Sequence, residues 1–217
     1  MTVLLMLATF LTFAVVDYLL NRKKALQLAP EPRVPELAYV DGFLVPENVR
    51  FHPGHTWAMS ERRQLMRVGM DEFAAALAGK IEKIELPKPG TWIRQGQKMI
   101  AVTRGGERTE LVSPVEGEVT AVNETALADP KLLRSDPYGN GWLLTVSVPD
   151  EENTIRNLLP LAMVRAWMRD AVSRLYALQP QLVGAVAADG GRPVEDLLAA
   201  APQASWTAVT RQFFLTE

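Results

Sequence analysis

The pair Gly105-Gly106 limits what this chain can fold into more than any other feature. It separates a short apolar stretch, Met99, Ile100 and Val102, from a second one, Leu111 and Val112. Two adjacent glycines between β-patterned runs specify a tight hairpin, because a type I′ turn needs positive φ at both central residues. The hairpin is surrounded by more short strand patterns. Trp57 and Met59 face Leu65, Met66 and Val68 across the turn Glu61 to Gln64. Ile81, Ile84 and Leu86 alternate with outward Lys83 and Glu85 and stop at Pro87-Lys88-Pro89-Gly90. Trp92 and Ile93, then Val115, Val119, Ala121 and Val122, and finally Leu143 to Val148 continue the series. Many short strands at close intervals predict a small barrel or sandwich. One helix interrupts them: Asp71 caps it, Phe73 and Leu77 share its buried face, and Gly79 ends it after Ala78. Asp129 before Pro130 predicts a second helix start.

Four ordered motifs lie on this pattern: HTW (His55 to Trp57), ELPKPG (Glu85 to Gly90), VSPVEGEV (Val112 to Val119) and DPYGNGW (Asp136 to Trp142). Together they resemble the H protein of the glycine cleavage system, over roughly residues 40 to 148. The resemblance implies a mainly β (α+β) fold, the lipoyl/biotinyl-like barrel-sandwich hybrid. It also implies a carrier without chemistry of its own, with lipoate on a lysine at the hairpin tip. Counted back from Ser113-Pro114, that lysine position falls on Gly106.

A lipoyl carrier needs a primary amine on an exposed tip. Arg104 and Arg108 flank the turn, but a guanidinium stays protonated and is a poor acyl acceptor. Lys98 lies at the hairpin's foot, while Lys80, Lys83 and Lys88 lie on other elements. No cofactor is therefore expected. The tip residues Arg104, Gly105, Gly106, Glu107 and Arg108 form a mixed-charge docking surface for a protein partner, or else an ordinary solvated loop. The alternative is a genuine lipoyl carrier modified at a displaced lysine such as Lys98.

The chain begins with an almost wholly apolar run, Thr2 to Leu20, followed at once by Asn21-Arg22-Lys23-Lys24. As a helix the run spans roughly 28 Å, close to a bilayer's hydrocarbon core. Its basic cluster lies only on the C-terminal side, which predicts an uncleaved single-pass anchor in the inner (plasma) membrane, with the remainder of the chain in the cytoplasm. A periplasmic domain is the alternative topology. Asp17 falls in the last turn, at the interface. Prolines at 30, 32, 35 and 46 then predict a semi-extended stalk that runs into the first strand of the β-domain. The expected organisation is an anchor over 1–21, a stalk over 22–39, the β-domain over 40–149 and a helical C-terminal extension over 150–217.

In that extension, Ala162 to Leu178 reads as an amphipathic helix with Val164, Met168, Ala171, Val172, Leu175 and Leu178 on one stripe. After a break at Ala187 to Pro193, two short helical stretches follow, Val194 to Ala200 and Ser205 to Phe214. Trp206, Val209, Phe213 and Phe214 form an aromatic anchor that docks the tail, either onto its own domain or onto a partner.

Composition removes several functions. A net charge of −2 gives no reason to expect a nucleic-acid partner, and the absence of cysteine rules out disulfides, thiolate nucleophiles and Cys-ligated metals. His52 and His55 in HPGH are two histidines without a clear third ligand, so packing is expected over metal binding. No catalytic constellation stands out. The expected function is a membrane-tethered, non-lipoylated binding or assembly subunit of a membrane-associated complex.

Overall fold

The computed structural model describes residues 38–180, 196–200 and 205–215, together with positions 6, 11–13, 16 and 17. The chain divides into two compact units, Met1–Glu36 and Leu37–Glu217. In the first unit the described positions are helical and exposed; Met6, Leu11 and Phe13 keep 75%, 70% and 77% of their surface accessible. Among the described residues no helix is long and apolar enough to cross a membrane. Most of the 2–20 run, and the expected stalk up to residue 37, lie outside them.

The second unit is a mainly β fold with helices. Its strands are β1 (Ala38–Val40), β2 (Phe43–Val45), β3 (Arg50–Phe51), β4 (Thr56–Arg62), β5 (Leu65–Met70), β6 (Lys83–Glu85), β7 (Trp92–Ile93), β8 (Lys98–Arg104), β9 (Glu107–Val112), β10 (Gly117–Val122) and β11 (Leu144–Ser147). They pair antiparallel into a six-stranded sheet, β3-β4-β5-β11-β10-β7, a three-stranded sheet, β6-β8-β9, and the hairpin β1-β2. Alternation along the strands sends Trp57, Met66, Val68, Ile100, Val102, Leu111, Val119 and Val146 into one core.

The hairpin β1-β2 replaces the outer end of the expected stalk. Asp41 and Gly42 both take positive φ, 47° and 85°, so this Asp-Gly pair makes the same kind of two-residue turn as the two glycines further on. Proline at 46 ends the second strand rather than an extended spacer.

Helix α1 (Glu72–Ala78) starts and stops where the sequence directs. Asp71 accepts the Ala74 amide at 2.8 Å, and Gly79 turns the chain out with φ of 62°. Two short helices follow β10. The first, α2 (Glu124–Ala128), is capped by Asn123, whose side chain accepts the Ala126 amide. The second, α3 (Leu132–Ser135), begins past Pro130 and has no side-chain cap of its own, so Asp129 supports the approach to the helix and not its first turn.

The last helices are α4 (Glu151–Arg156), capped by Asp150, then α5 (Leu161–Leu178) and α6 (Trp206–Phe214). In α5 the predicted stripe is buried at Val164, Met168, Ala171, Val172 and Leu175, but Leu178 is exposed at the end. A 3-10 turn, Leu197–Ala200, precedes α6; the start of the helical stretch expected from Val194 lies outside the described residues.

Candidate functional site

The hairpin β8-β9 closes on the pair Arg104 and Glu107, with Gly105 and Gly106 between them at φ of 57° and 78°. Both φ values are positive, as a type I′ turn requires. Nothing lies within 4 Å of the position a Cβ would take at either glycine, so the tip is open to solvent. It carries no amine. Lys98 stands opposite Val112 at the other end of the hairpin, roughly 20 Å of strand from the turn.

The charged residues around the tip are engaged within the chain. Arg104 donates through Nη1 to Asp196 Oδ1 at 2.8 Å and to the Ala78 carbonyl at 3.3 Å. Glu107 accepts from the Thr207 amide at 3.1 Å and from the Thr207 hydroxyl at 3.0 Å, which places a carboxylate at the N-terminus of α6. Thus the two residues that close the turn are both held by the C-terminal segment. Arg108 instead bridges two carboxylates on the outer face of the small sheet, Glu85 at 3.4 Å and Glu110 at 3.0 Å. Lys83 completes this row with a 2.6 Å contact to Glu85, and its hydrogen bond is the main cause holding the Glu85 carboxyl below its usual range.

The aromatic anchor lies inside the fold. Trp206, Phe213 and Phe214 are 6%, 1% and 0% exposed, so these three side chains are not presented to a partner. Helix α6 packs on β9 and α1. The Trp206 indole N–H donates to the Leu77 carbonyl at 3.2 Å, and Thr210 Oγ1 donates to Thr109 Oγ1 at 3.1 Å in the interior. Phe213 meets Phe73 edge-on at 5.2 Å. Periodicity marked α6 as a docking element; only the folded chain places its target beside the hairpin. Asp196 and Thr207 have no sequence signal that names their partners.

A second polar cluster sits beneath the clasp. His55, with φ of 60°, is fully buried, and its Nδ1 lies 2.8 Å from Asp71 Oδ2. Its ring is stacked between Phe73 at 4.4 Å and Trp167 at 4.5 Å. Asp71 thus serves both the histidine and the α1 cap. Nearby, Tyr138 donates to the Leu44 carbonyl at 2.8 Å, and burial, reinforced by Asp71, pushes its hydroxyl pKa well up. Among the described residues no group of three or more His, Cys, Asp or Glu side chains could hold a metal ion.

His52 lies on the same turn but is only partly buried. Its Nδ1 accepts the Gly54 amide at 3.0 Å, which requires an unprotonated nitrogen. Burial first, and the neighbouring His55 second, bring its pKa from 6.5 down to about 4. Between these values the unfolded chain binds the proton and the folded chain does not, so acid favours unfolding. The expected result is an unfolding free energy that loses His52's contribution as pH falls from 6.5 toward 4. His52→Asn, which keeps an acceptor for Gly54 and cannot titrate, should flatten that part of the profile in denaturant titrations run at each pH.

The Glycine cleavage H-protein family model matches residues 49–170, more than half the chain. The chain belongs to the glycine cleavage H-protein family. The match takes in the β-domain from β3, the hairpin, and α5 as far as Asp170; the clasp formed by 196–200 and α6 lies beyond it. Among curated relatives, the glycine cleavage system H protein of Mycobacterium leprae is 35% identical over 118 residues, covering 53% of this chain and 89% of that protein. The H protein of Prochlorococcus marinus is 34% identical over 117 residues, covering 54% and 90%. A crystal structure of an H protein from Mycobacterium marinum aligns with a TM-score of 0.45 at 26% identity, over 48% of this chain and 87% of that one. The mainly β sheets with their helices fit the H-protein fold expected from the motifs.

Proposed function

We propose that this chain is an H-protein-family subunit that carries no lipoate and works by binding other proteins, as part of a complex at the membrane. One observation carries the reading: the hairpin tip, where the family resemblance puts the lipoyl lysine, is Gly106, and the turn from Arg104 to Glu107 includes no lysine. An acyl group needs a nucleophilic nitrogen, and the arginines around the tip do not supply one. The held closing pair, Arg104 and Glu107, supports the same reading, since the hairpin is braced by the chain's own C-terminal segment. The apolar run Thr2 to Leu20 with its trailing basic cluster is the proposed tether, and the positive-inside rule puts the β-domain in the cytoplasm.

The test is the intact mass of the protein purified in mild detergent from its own host, with identification of every stoichiometric companion. An unmodified mass with stable companions supports the binding subunit. A mass heavier by one lipoyl group overturns it, and peptide mapping then decides whether Lys98 is the acceptor. A companion experiment restores the amine. With lipoate and a lipoyl-attaching enzyme, Gly106→Lys is expected to gain one lipoyl group while the wild type gains none. Positive φ at 106 should cost the variant about 1 kcal/mol of stability, a loss small enough to leave it folded.

A further inference from the structure

We propose that the pocket between the β2–β3 connection and the start of α5 binds a free apolar α-amino acid, with Arg165 taking its carboxylate and Glu47 its ammonium group. The pocket has a volume of about 290 Å³, at the lower end of the range for small-molecule sites. Its floor is apolar: Val45, Pro46, Phe51 and Val164 line it, and all four are buried. Leu161, 48% exposed, and the exposed Glu47 and Arg165 form the solvent-facing part. Val45, Pro46 and Glu47 lie before the family-matched residues 49–170, so one wall of the pocket comes from outside the match.

The walls are fixed by the fold itself. The Leu159 amide donates to the Phe51 carbonyl at 2.8 Å, which ties the approach to α5 to β3. The Phe51 ring packs against Tyr138 and Trp167, with centroids 6.0 and 5.9 Å away. Arg50 donates through Nη1 to the Glu47 carbonyl at 3.2 Å and braces the turn that carries Glu47. Charge selects the ligand. Glu47 and Arg165 line one pocket, yet no ion pair joins them, and among the described residues neither side chain has another polar partner. A carboxylate alone would meet Arg165 but face Glu47, and an amine alone would meet Glu47 but face Arg165. A ligand with both groups at one end and an aliphatic body satisfies both charges and covers the apolar floor.

The test is an NMR titration of the isotope-labelled full chain in mild detergent with L-leucine. It is set beside 4-methylpentanoate, which lacks the ammonium group, and 3-methylbutylamine, which lacks the carboxylate. Leucine is expected to give saturable shifts at Val45, Leu161 and Val164 and to bind about tenfold more tightly than either analogue, because each analogue loses one charge-assisted contact. Arg165→Gln and Glu47→Gln, both at exposed positions, should each weaken leucine by about tenfold. Glu47→Gln should also bind 4-methylpentanoate more tightly than the wild type does, since the repelling carboxylate is gone; a merely structural role for Glu47 gives no such gain. The proposal is overturned if leucine gives no saturable shifts at these three residues, if either analogue matches leucine on the wild type, or if leucine binding is unchanged in either variant. None of these readouts depends on lipoate, so the pocket is decided separately from the function proposed above.

Discussion

Asp71→Ala is expected to destabilise the domain by about 2 to 4 kcal/mol, one of the two largest effects of a single substitution proposed for this chain. The carboxylate is fully buried and has two duties: Oδ2 lies 2.8 Å from His55 Nδ1, and Oδ1 accepts the Ala74 amide at the start of α1. Alanine leaves the imidazole nitrogen without a partner in the interior, where an unmet polar group costs about 1 to 3 kcal/mol. It also removes a cap worth about 1 kcal/mol. The ring stays held between Phe73 and Trp167, so it remains in the interior when its partner is lost. Asp71→Asn retains a cap oxygen and should recover the smaller part. Denaturant titration followed by tryptophan fluorescence checks both; a loss below 1 kcal/mol in the alanine variant would mean that the pair does not hold α1 against the β4 entry.

Gly117→Ala is the second. Gly117 lies in the VSPVEGEV motif and opens β10, where the strand passes close beside β11. A methyl group there would stand 2.0 Å from the Ser147 carbonyl oxygen and 2.9 Å from its carbon. Side chains can move aside, but this obstacle is backbone inside a six-stranded sheet, paired on its other side with β5. Relief requires separating β10 from β11. The expected cost is about 3 kcal/mol, at the upper end of overpacking effects. Amide exchange should report increased opening along β10 and β11 more than along β8 and β9. By contrast, Gly105→Ala meets no atom and is penalised only for its positive φ, which separates the steric effect from the conformational one.

Much of the chain is legible because its signals are local. Gly105-Gly106 sets a turn whose φ values other residues avoid, and Asp71 and Gly79 bracket α1 by hydrogen bonds within a few residues. The stripe of α5 and the Ser205 cap of α6 are equally local. The Asp41-Gly42 turn and the Asn123 cap are local signals of the same kind. Motif order was enough to indicate the family, since the four motifs fall on strands and turns of one β-domain.

By itself the sequence determined the hairpin, its two-glycine turn and the β-domain around them, because turn geometry, alternation and residue chemistry act within a few residues. Only the tertiary structure decided where the tail goes. Asp196 meets Arg104, Thr207 meets Glu107 and Phe213 meets Phe73 across some 90 to 140 positions of chain, as in the 92 and 100 residues between the first two pairs. An apolar stripe specifies that a helix must be covered and does not specify by what. That choice depends on which surface closes over it in three dimensions, and here the chain's own hairpin and α1 supply it.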